Sequence, residues 1–270
     1  MTCCVFVTAD QSEDDLGVVH SWGSGPEVVF LSNPLADPVN WSAVVRDELL
    51  ELGCRVTTFE HRPDRLDWGS AVGCVVEFLG RRRAPVALVG WSQGAAIAQE
   101  VALASPEAVT CAALLATYGR QNEIDKTLQQ SWDRLAQGDD DLDSLRLAMA
   151  LLTAYPPQRL ADDNFVAHMR ARQVDWAGRP DPQKRRRAGT FIATYQDRLP
   201  ALAAVTTPCL VMGFELDTDT FAARAREVAQ AIPRARYVEL DGIAHAAPFT
   251  DPQRVWPPVI DFLRRHHRPR

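Results

Sequence analysis

The strongest functional signal in the chain is the stretch Val89-Gly90-Trp91-Ser92-Gln93-Gly94. It follows an apolar run at residues 85–90 that predicts a buried strand, and it leads into a predicted helix at residues 95–104. A Gly-x-Ser-x-Gly sequence between a strand and a helix is typical of a nucleophile elbow, which presents the serine hydroxyl at the carboxyl end of the strand. We therefore predict Ser92 as a nucleophile. The backbone N–H of Gln93, at the helix N-terminus, is the predicted donor to an oxyanion.

A serine hydroxyl needs a general base, and the chain offers six histidines. His245 follows a predicted strand at residues 236–240, in a loop where Gly242 permits a tight turn. His61 also follows a predicted strand, and we assign it as a candidate substrate contact rather than as the base. The other four lie in an early strand, a helical segment or the polar C-terminal tail: His20, His168, His266 and His267. His245 is therefore the predicted base.

A carboxylate that orients the imidazole is expected after the apolar strand at residues 209–212. Asp217 falls where this strand has just ended, and we favour it as the orienting acid. Asp219 is the alternative, although it can instead cap the helix predicted to begin near Phe221.

Apolar, β-rich runs alternate with helical stretches along the chain, a pattern that predicts a mostly parallel sheet with helices on both faces. The predicted strands are residues 5–7, 16–22, 27–31, 55–59, 85–90, 109–116, 209–212 and 236–240. The predicted helices outside the central region are residues 41–52, 70–79, 95–104, 221–232 and 255–265. The fold class is therefore α/β, with eight strands.

The strand signal disappears between residues 118 and 199. Four stretches there have helical spacing: residues 121–136, 142–154, 161–175 and 183–198. A helical insertion between two strands of a continuing sheet indicates a lid over the sheet. We predict a core domain formed by residues 1–117 and 200–270, and a helical cap formed by residues 118–199.

The composition and the lack of certain sequence patterns argue against several classes of binding partner. The chain has 270 residues, with 29 basic and 35 acidic side chains and a net charge of −6, which argues against binding to a nucleic-acid backbone. No apolar run approaches the roughly 20 residues that span a bilayer, and the first residues lack a secretory signal. The six cysteines form no zinc-like spacing. We expect a cytoplasmic protein with a small-molecule substrate and without a metal or cofactor; the oligomeric state cannot be inferred.

Taken together, these motifs resemble the α/β-hydrolase superfamily over nearly the whole chain. The resemblance rests on residues 90–94, 213–217 and 242–245, and on the turn at residues 23–26 that leads into the strand at residues 28–31. It implies an eight-stranded sheet with an inserted cap that shapes substrate choice. The order serine, acid, histidine is that of this fold, so Ser92, Asp217 and His245 are the implied triad.

One segment departs from the superfamily pattern. Most relatives carry His-Gly after the third strand, followed by a residue whose N–H completes the oxyanion hole, whereas this chain reads Leu31-Ser32-Asn33-Pro34-Leu35. The Ser-Asn pair resembles the branch that contains enol-lactone hydrolases, with Trp41 also in place. Proline has no N–H, so either Leu35 donates, or the side-chain amide of Asn33 substitutes, or the hole is incomplete.

The predicted function is hydrolysis of an ester, lactone or thioester of a small or medium-sized apolar molecule through an acyl-enzyme on Ser92. Trp91, Pro34, His61 and Tyr118 are the candidate substrate contacts. The anomaly at Pro34 motivates an alternative, a lyase or cyclase that eliminates an acyl group or closes a ring on the same scaffold. A binding module without catalysis is a third reading, against which the complete triad argues.

Overall fold

The computed structural model describes residues 10–13, 15–32, 38–137, 142–175, 191 and 194–267. These residues form eight strands: Asp10–Glu13 (β1), Gly17–Trp22 (β2), Glu27–Leu31 (β3), Arg55–His61 (β4), Val86–Trp91 (β5), Val109–Leu115 (β6), Cys209–Phe214 (β7) and Ala235–Leu240 (β8). They make one sheet in the order β1-β2-β4-β3-β5-β6-β7-β8. Only β1 and β2 pair antiparallel with their neighbours. The predicted fold class, a mostly parallel eight-stranded sheet, is confirmed.

Helices flank the sheet. Those of the described residues are Pro38–Glu51 (α1), Trp68–Gly80 (α2), Gln93–Ala104 (α3), Glu123–Gln137 (α4), Asp143–Ala154 (α5), Pro157–Leu160 (α6), Asp163–Asp175 (α7), Leu199–Leu202 (α8), Ala222–Ala231 (α9), Ala247–Thr250 (α10) and Pro252–His266 (α11). Short 3₁₀ turns lie at Pro63–Arg65 and Pro106–Ala108. No helix in the described part of the chain is both long and apolar enough to cross a membrane.

The central strands are apolar throughout because both of their faces are covered. On one face, buried side chains of β3, β5 and β6 pack with α2, α3 and α9. On the other face, the alternate side chains of the same strands pack with α1 and α11. Since β3 to β8 all run parallel, their carboxyl ends meet at one edge of the sheet, and loops that leave this edge can form a common site.

Two parts of the sequence interpretation need correction. The edge strand β1 was not predicted, because its residues are polar and exposed and carry no apolar alternation; the strand predicted at residues 5–7 lies outside the described residues. The helix predicted at 183–198 is wrong for residues 194–198, which form a turn and a segment without helix or strand. Side chains of this segment instead form hydrogen bonds with α3.

Those contacts anchor the end of the inserted region. Arg198 donates hydrogen bonds to both carboxylate oxygens of Glu100 in α3, the shortest at 2.8 Å. The hydroxyl of Tyr195 donates to the same carboxylate at 2.8 Å. The chain therefore returns from the helices between β6 and β7 through a polar clamp on α3, the helix that follows Ser92. The cap boundaries at 118 and 199 stay a prediction.

Replacing Glu100 with alanine should lower the free energy of unfolding by about 2 kcal/mol, because Arg198 and Tyr195 lose a largely buried partner, whereas Arg198 keeps some contact with water. Urea unfolding followed by circular dichroism measures this. Glu123→Ala is the matched control, since Glu123 forms an exposed pair with Lys126 and should have no measurable effect. Equal stabilities of the two variants would contradict the clamp.

Candidate active site

The turn between β5 and α3 holds Ser92 in a backbone conformation that is rare for a side chain other than glycine. Its φ is 56° and its ψ is −125°, and its N–H donates to the carbonyl of Leu115 on β6 at 2.8 Å. Such a conformation costs about 1 to 3 kcal/mol and persists only where the surroundings impose it. It places Ser92 at the carboxyl edge of the sheet, as expected of a nucleophile elbow.

Two glycines make this turn possible. A β-carbon on Gly94 would lie 2.1 Å from the carbonyl oxygen of Leu31 on β3, and one on Gly90 would lie 2.5 Å from the Cα of Ala95. Real side chains essentially never come so close to backbone atoms. The glycines of the motif therefore allow α3 to pack directly against the end of β3.

Replacing Gly94 with alanine should destabilise the protein by about 3 kcal/mol, because the new methyl group must displace the backbone of β3 or α3. Gly73 offers a matched control within α2, since it is exposed and a β-carbon there meets nothing within 4 Å. Gly73→Ala should stabilise by about 0.5 to 1 kcal/mol through the helix propensity of alanine. Thermal unfolding of both variants tests the pair; a harmless Gly94→Ala would contradict the proposed close approach.

The loops after β7 and β8 bring a carboxylate and an imidazole together. Asp217 Oδ2 lies 2.8 Å from Nδ1 of His245, and both side chains are buried. The other oxygen, Asp217 Oδ1, accepts hydrogen bonds from the backbone N–H groups of Asp219 and Thr220 at 2.9 and 2.7 Å. Burial raises the pKa of Asp217, and His245 together with the Thr220 N–H opposes that rise. The carboxylate is thus held in one orientation toward the imidazole.

The two loops are also tied to each other and to the elbow. The N–H of Leu216 donates to the carbonyl of Ile243 at 2.9 Å, and the N–H of Gly242 donates to the Glu215 carboxylate at 2.7 Å. Trp91, the residue before Ser92, donates its indole N–H to the backbone carbonyl of His245 at 3.1 Å. These contacts couple the positions of Asp217, His245 and Ser92 at one edge of the sheet.

Asp219 also contacts the imidazole. Its Oδ2 lies 3.3 Å from Nε2 of His245, the nitrogen opposite the one that Asp217 contacts. The cap interpretation of Asp219 is wrong, because α9 begins at Ala222 and its N-cap, Phe221, makes no side-chain cap bond. Burial by itself disfavours the charged imidazole, but the charges of Asp217 and Asp219 outweigh it and raise the pKa of His245 to about 9.

The profile of the alpha/beta hydrolase family matches residues 18–257. The chain belongs to this family. Its curated relatives include a Mycobacterium tuberculosis H37Rv protein that carries the provisional name non-heme bromoperoxidase BpoC, 29% identical over 252 residues, which are 89% of this chain and 95% of the relative.

Solved structures of similar proteins agree with this assignment. The crystal structure of BpoC from M. tuberculosis H37Rv has a TM-score of 0.81 at 26% identity and covers 98% of this chain and 99% of its own. The enol-lactonase from Burkholderia xenovorans LB400 has a TM-score of 0.77 at 20% identity and covers 94% of this chain and 100% of its own, so it shares the fold. The superfamily resemblance read from the motifs is confirmed.

The second donor of the predicted oxyanion hole is not among the residues that the structure describes. Asn33, Pro34 and Leu35 lie outside the described residues. Gln93 is the first residue of α3, and the first N–H groups of a helix have no partner within it. The side-chain amide of Gln93 is buried and makes no hydrogen bond with any described residue. Gln93 as one oxyanion donor and Leu35 or Asn33 as the other therefore both stay predictions.

The remaining substrate-contact candidates have distinct surroundings. The hydroxyl of Tyr118 is buried without a hydrogen-bond partner among the described residues, and burial raises its pKa. His61 ends β4, its imidazole makes no hydrogen bond with the described part of the chain, and burial lowers its pKa to about 4, which favours the neutral ring. Trp91 packs against His245 and also against Phe249, which the sequence interpretation did not single out. Whether these side chains touch substrate stays a prediction.

The helices between β6 and β7 contact the loops that follow β7 and β8. The N–H of Ala246, next to His245, donates to the carbonyl of Ala154 at the end of α5 at 2.9 Å. Thr218, next to Asp217, donates its hydroxyl to the carbonyl of Leu152 at 3.1 Å. The end of α5 therefore lies beside the candidate site.

Proposed function

We propose that this protein is a serine hydrolase that cleaves a carboxylic ester, lactone or thioester. The single observation that carries the proposal is the strained Ser92 elbow, linked through Trp91 to the loop in which His245 pairs with Asp217 at 2.8 Å. A hydroxyl on an elbow, a buried imidazole and an orienting carboxylate are the parts that acyl transfer needs. These groups all come from the chain, so the proposed reaction uses no cofactor.

In the proposed reaction, Ser92 Oγ attacks the substrate carbonyl and His245 takes its proton. Asp217 stabilises the resulting imidazolium, and the N–H of Gln93 stabilises the oxyanion. His245 then passes the proton to the leaving group, which departs and leaves an acyl-enzyme on Ser92. Water, activated by His245, attacks this ester, and the carboxylic acid leaves.

An apolar substrate is proposed because two large apolar side chains near the candidate site are exposed. Phe249, on Trp91, is 40% exposed, and Leu152, at the end of α5, is 64% exposed. Large apolar side chains at the rim of a site offer contact area for an apolar acyl or alcohol group. We therefore expect esters with longer alkyl chains to have a lower KM than acetate esters.

The test combines labelling with turnover. The protein should react with a fluorophosphonate probe and hydrolyse p-nitrophenyl acetate, butyrate and decanoate, with the label carried by the peptide that contains Ser92. Absence of both labelling and hydrolysis would contradict the proposal. The lyase or cyclase alternative rested on Pro34, and no observation of the described residues favours it.

Hydrogen peroxide is a second acyl acceptor to test, because the 29% identical relative is named a non-heme bromoperoxidase. Peroxide in place of water would attack the acyl-enzyme carbonyl, and Ser92 would leave with the proton from His245, so that a peracid forms. The peracid would give one oxygen to bromide, which yields hypobromite and the carboxylic acid. Bromination that needs both an ester donor and Ser92 supports this route; bromination without an acyl donor contradicts it.

A further inference from the structure

The imidazole of His245 lies between two carboxylates. Asp217 Oδ2 is 2.8 Å from Nδ1, and Asp219 Oδ2 is 3.3 Å from Nε2. The triad chemistry accounts for the first contact, because an orienting acid holds Nδ1. It does not account for the second, since Nε2 is the nitrogen that must accept the proton of Ser92.

The contact with Asp219 has a defined protonation requirement. A ring nitrogen is attracted to a carboxylate only when it carries a hydrogen, and a neutral imidazole carries one hydrogen in total. With a carboxylate on each nitrogen, the favoured species is the imidazolium, which has a hydrogen on both. In this state Nε2 donates to Asp219 and cannot accept from Ser92.

We infer that Asp219 is a positioning residue that holds the Nε2 proton of His245 and so competes with Ser92 for that nitrogen. The inference rests on the proposed function, in which His245 is the base. It assigns Asp219 a role separate from that of Asp217: Asp217 orients the ring, and Asp219 sets how readily the ring becomes a base.

The other charged groups around Asp219 leave its effect uncompensated. Of the described residues, only His245 pairs with Asp219. Asp125 in α4 adds a second negative charge nearby, since its charge and that of Asp219 both act on Tyr118. Arg224 acts on Asp125, but it is itself paired with Glu227 at 2.8 Å. The elements that face His245 therefore bring mainly negative charge to it.

The consequence for pH dependence has a definite sign. Burial opposes the imidazolium, but the two carboxylates outweigh it and the pKa of His245 rises to about 9. The free base is then the minority form of His245 at pH 7. The value of kcat/KM, which reports the free enzyme, should therefore rise with pH until it levels off above about 9.

The test is Asp219→Asn, with two readouts. Asparagine keeps the shape and removes the charge, and the backbone N–H of residue 219 still donates to Asp217. The pKa of His245, followed by NMR and identified by the signal missing from His245→Gln, should fall by about one unit or more. The acid limb of the pH profile of kcat/KM should shift to lower pH by the same amount, so activity at pH 7 should rise about tenfold or more. Asp219→Ser provides a second variant if asparagine impairs folding.

The control is Asp241→Asn, which makes the same charge change at an exposed residue in the loop before His245. It should leave both the NMR titration and the acid limb in place. The contrary result is an Asp219 variant that lowers the plateau rate but leaves both the NMR pKa of His245 and the acid-limb pKa of kcat/KM in place. That result would show a merely structural role and overturn the inference. Because the NMR titration needs no turnover, it decides the role of Asp219 even if Ser92→Ala shows that the proposed function is wrong.

Discussion

Ser92→Ala should lower kcat for p-nitrophenyl ester hydrolysis by about 10⁶-fold and abolish labelling by a fluorophosphonate. The reason is that the acyl-enzyme cannot form without the hydroxyl, whereas binding and the Gln93 N–H supply only the residual rate. Alanine keeps the same backbone strain at φ 56°, so the fold should be unaffected. Steady-state kinetics and intact-protein mass spectrometry measure both effects.

The matched control is Ser144→Ala, because Ser144 is exposed on α5 and should leave rate and labelling unchanged. Thermal unfolding of both variants establishes that neither has lost its structure. A Ser92→Ala protein that keeps more than a trace of activity would contradict the acyl-enzyme. It would instead favour direct attack by a water molecule that His245 activates.

Asp217→Asn should lower kcat by about 10⁴-fold with little change in KM. Asp217 Oδ1 accepts hydrogen bonds from two backbone N–H groups, so the amide oxygen of asparagine takes that position. The NH₂ group then takes the place of Oδ2 and faces Nδ1 of His245. The imidazole then adopts the wrong tautomer or turns away, and Ser92 loses its base. Stopped-flow or steady-state kinetics with a p-nitrophenyl ester measure the loss.

Asp219→Asn separates the two acids. Both substitutions remove one negative charge next to His245, but only Asp217 contacts Nδ1. The loss of rate should therefore be confined to Asp217→Asn. The plateau of kcat/KM that this variant reaches at high pH should be low. If Asp219→Asn shows the large loss instead, the assignment of the orienting acid is reversed.

The elbow could be predicted because its information is local. Gly90, Ser92 and Gly94 lie within five residues, and the requirement for small residues there follows from backbone contacts of one turn. The central strands could be predicted because burial on both faces makes them continuously apolar. The edge strand β1 could not, since its exposed polar residues are held only by pairing with β2.

The candidate pair of Asp217 and His245 followed from their places after two strands, since parallel strands end at one edge. Their distance of 2.8 Å did not, because it depends on the bonds that join the loops after β7 and β8. The helix predicted at 183–198 was wrong for residues 194–198 for a similar reason: Tyr195 and Arg198 make tertiary hydrogen bonds to Glu100, which is 95 and 98 residues away in the sequence.

The sequence by itself therefore determined the fold class, the nucleophile candidate and the order of the three candidate catalytic residues, because each depends on local pattern or on strand ends. Only the tertiary structure decided that Asp219 contacts Nε2 of His245, that α5 borders the site, and that α3 carries the clamp on the returning chain. These contacts join residues far apart in sequence, and their geometry depends on how the loops pack at the carboxyl edge of the sheet.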